Sequence, residues 1–98
     1  PAQVIGHAFN LITENITIQN KLGLHTRAAA KLVDTAKHFI SRIELGFRDR
    51  VVDCKSIMGV ITLDAQKGNT LELIINGEDE GEACDAIIKL VNNKFGED

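Results

Sequence analysis

Ile16 and Ile18 alternate with Thr17 and Gln19, which marks a half-buried first strand running from Glu14 to about Asn20. Past Gly23 the period changes. Ala29, Leu32, Val33 and Ala36 stand at i, i+3, i+4 and i+7, an apolar helical stripe that leaves Lys31, Asp34 and Lys37 for solvent. A period of two returns in Ile43, Leu45 and Phe47 against Arg42, Glu44 and Gly46. After the polar turn Arg48-Asp49-Arg50, Val51, Val52 and Cys54 form the return strand of a hairpin. The mixed spacing of Lys55 to Leu63, with Gly59 inside it, predicts a short helix that Lys67-Gly68-Asn69 brings to an end. Leu71, Leu73 and Ile75 mark a last strand. Asn76-Gly77-Glu78-Asp79 then turns the chain into a closing helix with Cys84, Ile87, Ile88, Val91 and Phe95 on one side. Its acidic residues Glu80, Glu82 and Asp85 gather at the end where the helix dipole favours them.

The order is therefore βαββαβα, an α+β arrangement in which right-handed crossovers yield an antiparallel sheet with three helices on one face. Several strand orders satisfy this pattern, and ferredoxin-like domains share its first six elements. Residues 1–13 stand apart. Val4, Ile5, Ala8, Phe9 and Ile12 fall close to one helical face, but Gly6 and the short run argue against a stable helix. The expectation is a loosely packed N-terminal tail, including His7 without a role, ahead of one domain over 14–98.

Composition narrows the function more than the fold. A chain of 98 residues fits one small domain, and its net charge of −3 does not favour nucleic acid as a partner. Cys54 and Cys84 lie far apart with no CxxC spacing, so free buried thiols in a reducing compartment are expected rather than a metal site or a disulfide. No apolar run approaches a membrane span, and the first residues lack the features of a signal peptide, so a cytoplasmic protein without membrane insertion is expected.

Chemistry concentrates in Asn20-Lys21-Leu22-Gly23-Leu24-His25-Thr26-Arg27-Ala28-Ala29-Ala30, where a strand gives way to a helix. The first turn of a helix carries unpaired N–H groups and partial positive charge. A histidine at that point is disfavoured as the imidazolium and favoured as a neutral nucleophile, while an anion is stabilised there. Arg27 adds a planar donor suited to phosphate oxygens. Together they are what a phosphorylated His25 needs. His38, in the last turn of the same helix, suits the dipole without any function.

Gly23-Leu24-His25-Thr26-Arg27-Ala28-Ala29 resembles the active-site segment of the HPr family of bacterial phosphocarrier proteins, and Lys55-Ser56-Ile57-Met58-Gly59-Val60 resembles that family's second signature. The resemblance spans about residues 14–95. The lead-in Asn20-Lys21-Leu22-Gly23 and the closing residues 92–98 are also similar to the nitrogen-related branch, NPr. The family implies an HPr-like open-faced β-sandwich with sheet order β1-β4-β2-β3, strands counted along the chain. It implies a carrier rather than an enzyme. Enzyme I, charged by phosphoenolpyruvate, passes a phosphoryl group to Nδ1 of His25, which hands it to an enzyme IIA domain of the phosphotransferase system, in sugar transport or a related pathway. By resemblance, Arg27 helps hold the charge and the backbone N–H groups of Thr26 and Arg27 face the phosphate. Ser56 has two readings: a helix N-cap, and by resemblance a regulatory phosphorylation site for an HPr kinase/phosphorylase. Where family members carry proline after the arginine, this chain has Ala28, a change expected to alter rates without removing a reactive group.

A phosphoryl carrier needs positioning and charge stabilisation, and it must also release its cargo. A shallow, exposed site is expected, with no metal or organic cofactor, on a monomer. Leu22, Leu24, Ile57 and Met58 are expected to form an apolar docking patch rimmed by Lys21, Arg27, Lys31 and Lys55, where a basic edge would steer acidic partners. A diverged regulator that binds targets without passing the phosphoryl group on would use the same chemistry. A ferredoxin-like ligand-binding domain would give no reason for His25 and Arg27 at a helix start.

Overall fold

The computed structural model describes residues 11–97. The tail expected before the domain, with His7, lies up to residue 10 outside the described residues. The chain runs β1 (Ile12–Thr17), α1 (Thr26–Ala36), β2 (Arg42–Phe47), β3 (Arg50–Asp53), α2 (Ile57–Thr62), β4 (Thr70–Asn76) and α3 (Glu80–Asn92), then a short turn at Lys94–Gly96. The four strands form one antiparallel sheet in the order β1-β4-β2-β3. Among the orders that the pattern permits, this is the one the family resemblance implied.

Alternation builds the core directly. Ile43 and Leu45 of β2 and Leu71, Leu73 and Ile75 of β4 are all fully buried, in register as Ile43 opposite Ile75 and Leu45 opposite Leu73. Ala29, Leu32, Val33 and Ala36 of α1 and Ala83, Ile87 and Val91 of α3 close over them. Each fully buried Leu or Ile contributes about 2 kcal/mol. The opposite face of β4, with Thr70, Glu72 and Asn76, stays in solvent.

The edges differ from the sequence expectation for local reasons. β1 begins at Ile12, which pairs with Ile75, and Thr13 pairs with Ile74, so both residues belong to the sheet rather than to a tail. The strand ends at Thr17 and not near Asn20. The Ile18 N–H donates to the Asn69 carbonyl and the Ile18 carbonyl accepts from the Gly68 N–H, which ties the chain to the loop before β4 instead of extending the ladder. Phe95 is buried, as its spacing predicted, but it lies beyond the end of α3, in the turn.

Asp79 joins the α1–β2 connection to the start of α3. Its carboxylate accepts from the Ile40 N–H at 3.0 Å, the Ser41 N–H at 3.0 Å and the Ser41 hydroxyl. The Ser41 side-chain bond leads in holding its carboxyl below the usual carboxylate range, and the two backbone donors add to it against a desolvation penalty. A carboxyl lowered on folding stabilises the native state fully above the unfolded pKa, here 3.8, and that contribution is lost as pH falls through the lowered native value. Asp79→Ala is therefore expected to lower Tm at pH 7 by several degrees. The difference from the wild type should shrink in thermal melts taken progressively below pH 3.8.

Candidate functional site

The approach to α1 is set by the loop before it. Gly23 adopts φ +73°, and the Leu24 N–H donates to the Ala65 carbonyl at 2.9 Å, which fastens the loop to the segment after α2. Leu24 is only 3% exposed and belongs to the core. Its expected place in a docking patch is therefore corrected: the backbone bond to Ala65 turns it inward, where an apolar side chain is worth most.

His25 follows as the N-cap of α1, with extended backbone at φ −75° and ψ 178°. Its carbonyl accepts the Ala29 N–H at 2.8 Å, and ring Nδ1 accepts the Arg27 N–H at 3.3 Å. A backbone N–H can only donate, so Nδ1 carries a lone pair and stands at the positive end of the helix. Thr26 and Arg27 open the helix beside it, and Arg27 extends into solvent with its side chain 65% exposed. Ala28, at the position of the family's proline, is fully buried against the core.

Glu97 is the residue the sequence did not suggest. One of its carboxylate oxygens lies 2.7 Å from His25 Nε2 and 3.4 Å from Arg27 Nε, and the other accepts from Asn20 Nδ2 at 3.0 Å. With Nδ1 an acceptor, the neutral ring carries its proton on Nε2 and donates it to Glu97. Burial alone would raise the Glu97 carboxyl. The hydrogen bonds from Asn20, His25 and Arg27 outweigh it and hold the group below the usual range. Nothing in residue spacing could have revealed a partner so remote in the chain.

The second expected segment lies at the other end of the helix pair. Ser56 caps α2, its hydroxyl accepting the Gly59 N–H at 3.1 Å. Lys55 Nζ donates to the Phe39 carbonyl at 2.7 Å, beyond the C-terminal end of α1, whereas Leu24 at its N-terminal end meets Ala65 past the C-terminal end of α2. Ser56 is thus separated from His25 by the length of α1, on the order of 15 Å. Leu22, Ile57 and Met58 are exposed, Met58 by 68%, and Lys21 is exposed as well. Lys31, expected in the basic rim, donates its ammonium to the Phe95 carbonyl at 2.7 Å.

Neither cysteine adds reactivity. Both are free and buried, and burial pushes the Cys54 thiol up to about 12, Asp53 adding to the rise against Lys55. A groove of about 630 Å³ along Asp85, Ile88, Lys89, Asn92 and Asn93 of α3 includes none of the residues around His25. Among the described residues no cluster of three or more His, Cys, Asp or Glu could hold a metal ion, and no helix is long and apolar enough to cross a membrane.

Comparison with known proteins points to one family. The family profile described as PTS HPr component phosphorylation site matches residues 12–93. The phosphocarrier protein HPr of Cupriavidus necator is 48% identical over 87 residues, covering 89% of this chain and 98% of that protein. That of Pseudomonas aeruginosa is 49% identical over 83 residues, covering 84% and 92%. The crystal structure of HPr-C-His from Thermoanaerobacter tengcongensis superposes with a TM-score of 0.85 at 42% identity, covering 89% of this chain and 98% of that one. An HPr from the same organism, described as a dimer, superposes with a TM-score of 0.72 at 45% identity.

Proposed function

Because the chain belongs to the HPr family of phosphocarrier proteins of the phosphotransferase system, carriers rather than enzymes, we propose that His25 accepts a phosphoryl group on Nδ1 from phosphoenolpyruvate-charged enzyme I and passes it to an enzyme IIA domain. The observation that carries this reading is the Arg27 N–H donating to Nδ1, which keeps the nucleophilic lone pair at the first turn of α1. The Arg27 N–H gives up the Nδ1 lone pair. The Nδ1–P bond forms from that pair as the bond from phosphorus to the donor atom of enzyme I breaks, the bonding pair staying with the donor, and the released N–H is left to the phosphoryl oxygens. The ring keeps its Nε2 proton throughout. The transferred group arrives at the first turn of α1, where backbone N–H groups and the helix dipole favour its charge. Arg27, whose exposed guanidinium is held only by a long 3.4 Å bond from Nε to Glu97, adds donors for its oxygens, and Thr26 contributes its backbone N–H. A single exposed arginine stabilises the phosphoryl group without trapping it. The deciding experiment mixes the protein with enzyme I and labelled phosphoenolpyruvate, then adds an enzyme IIA. Acid-labile label that appears and then leaves is the expected result. Label that enters and never leaves would make the protein a phosphorylation-dependent regulator, and no label would refute the acceptor role.

Leu22, Ile57 and Met58 are proposed as the apolar centre of the docking surface for both partners, with Lys21, Arg27 and Lys55 on its rim. Met suits a surface that meets more than one partner. Ser56 sits beside this patch, and its phosphorylation by an HPr kinase/phosphorylase is proposed to act on docking, since the distance to His25 excludes a direct effect on Nδ1. Ser56→Asp tests this separately from folding, because aspartate caps a helix as well as serine does. Unchanged urea unfolding is expected, together with a roughly threefold to tenfold weaker association with enzyme I by titration calorimetry. Equal affinity would leave Ser56 as a cap alone.

A further inference from the structure

We propose that Glu97 is a positioning residue for the transfer, a carboxylate that anchors the His25 ring through Nε2–H so that Nδ1 faces the first turn of α1; the proposal rests on His25 being the phosphoryl acceptor. Three independent features converge on that carboxylate.

The first is the contact itself. The ring can swing about its bond to Cβ, and a swing would carry the Nδ1 lone pair away from the helix end. Two hydrogen bonds oppose that motion, one at each nitrogen: the Arg27 N–H on Nδ1 at 3.3 Å and Glu97 on Nε2 at 2.7 Å. The Glu97 bond is the shorter, and it is charge-assisted.

The second is the way Asn20 is spent. Asn20 is fully buried, and its Nδ2 donates both to the Gly23 carbonyl at 2.7 Å and to Glu97 at 3.0 Å. Its Oδ1 is buried with no hydrogen-bond partner among the described residues. A buried carbonyl left unpaired is unfavourable, yet turning the amide over would set an oxygen against two acceptors. The orientation is explained by what Nδ2 holds, and one of the two groups it holds is Glu97.

The third is the backbone that brings Glu97 back over α1. Lys94, Phe95 and Gly96 take φ of 56°, 56° and 76°, three successive left-handed residues of which two are not glycine. Such residues persist only where their surroundings overdetermine them. Here Phe95 is buried in the core, its carbonyl is held by Lys31 Nζ, and the Gly96 and Glu97 N–H groups donate to the Asn93 and Lys94 carbonyls. The turn reverses the chain beyond α3 and delivers one carboxylate to His25. In chemical terms Glu97 takes no bond to phosphorus. It holds the Nε2 proton in place while Nδ1 gains the phosphoryl group and when Nδ1 loses it.

The test uses the whole chain with Glu97→Ala and, as a second variant, Gly96→Val, which keeps the carboxylate but places a β-branched residue at φ +76°. Two quantities are read: the rate of label uptake from phosphorylated enzyme I at saturation, and the ¹⁵N shifts of the His25 ring in the unphosphorylated protein. For Glu97→Ala the expected result is a rate about tenfold lower, as for a modest loss of orientation, with half-saturation unchanged. The ring shifts should move from the pure Nε2–H form toward a mixture, and Gly96→Val should move both quantities the same way. Wild-type rates with unmoved shifts overturn the proposal. So does a slower rate with unmoved shifts, which would mean that Glu97 acts through stability alone, and so do moved shifts at a wild-type rate. Absence of label on the wild type removes the acceptor reading, and the proposal with it, whereas a labelled wild type and an equally labelled Glu97→Ala variant remove only the role of Glu97.

Discussion

His25→Ala is expected to abolish phosphoryl uptake, a loss of at least about a thousandfold that leaves only background, while the protein stays folded. The loss is total because, among the described residues, no other side chain near the site combines a lone pair with a helix N-terminus. His38 provides the internal comparison. It lies just beyond the C-terminal end of α1, and its Nδ1 is 2.8 Å from the Asp34 carbonyl, so that nitrogen must carry the proton and donate it. The ring as a whole stands at the negative end of the same helix dipole that favours phosphate at His25. Cys54 is buried, with its thiol pushed up to about 12, and Ser56 is a helix length away. Removing the His25 cap costs about 1 kcal/mol, too little to unfold the domain. Acid-labile label counted beside a urea unfolding curve checks both halves. Label retained on a folded His25→Ala protein would place the acceptor elsewhere.

The histidine was legible because its neighbours in sequence are its neighbours in space. A helix start is a local event, and Gly23, His25 and Arg27 announce it together. The strands were legible for the same reason, since Ile43 and Leu45, and Leu71, Leu73 and Ile75, recur at every second position. Strand order was not contained in that alternation. Several orders bury the same residues, and the resemblance of two separated motifs to one family chose among them. Loop burial was harder still. Leu24 looks like Leu22 in sequence, yet one is in the core and the other in solvent, because only Leu24 has its N–H drawn to Ala65, a residue in the segment after α2. Glu97 lay furthest from reach. Its approach to His25 depends on left-handed backbone at Lys94 and Phe95, which local propensity argues against and which the burial of Phe95 and the Lys31 ammonium impose.

Gly23→Ala is expected to damage stability and phosphoryl uptake together, and the coupling between the two is what makes it informative. Gly23 sits at φ +73°, and a Cβ built there would lie 2.6 Å from the Ala65 carbonyl oxygen and 3.1 Å from the Gln66 Cα. Both obstacles are backbone, so no side chain can swing aside. The Leu24 N–H bond to that same Ala65 oxygen must lengthen, Leu24 must lift from the core, and His25 moves with it. Left-handed strain and overpacking together amount to on the order of 3 kcal/mol, which in a domain of this size lowers Tm by roughly 10–20 °C. Displacing the cap residue by even part of an ångström should slow uptake by roughly tenfold or more at a temperature where the variant remains folded. Gly68→Ala separates the causes, because Gly68 has φ +91° but open space around its absent Cβ. That variant should lose only about 1 kcal/mol and accept the phosphoryl group at the wild-type rate. If the two alanine variants lose stability equally, the contact with Ala65 is not what holds the loop. If Gly23→Ala loses stability yet accepts phosphoryl groups normally, the position of His25 does not depend on the loop that leads to it.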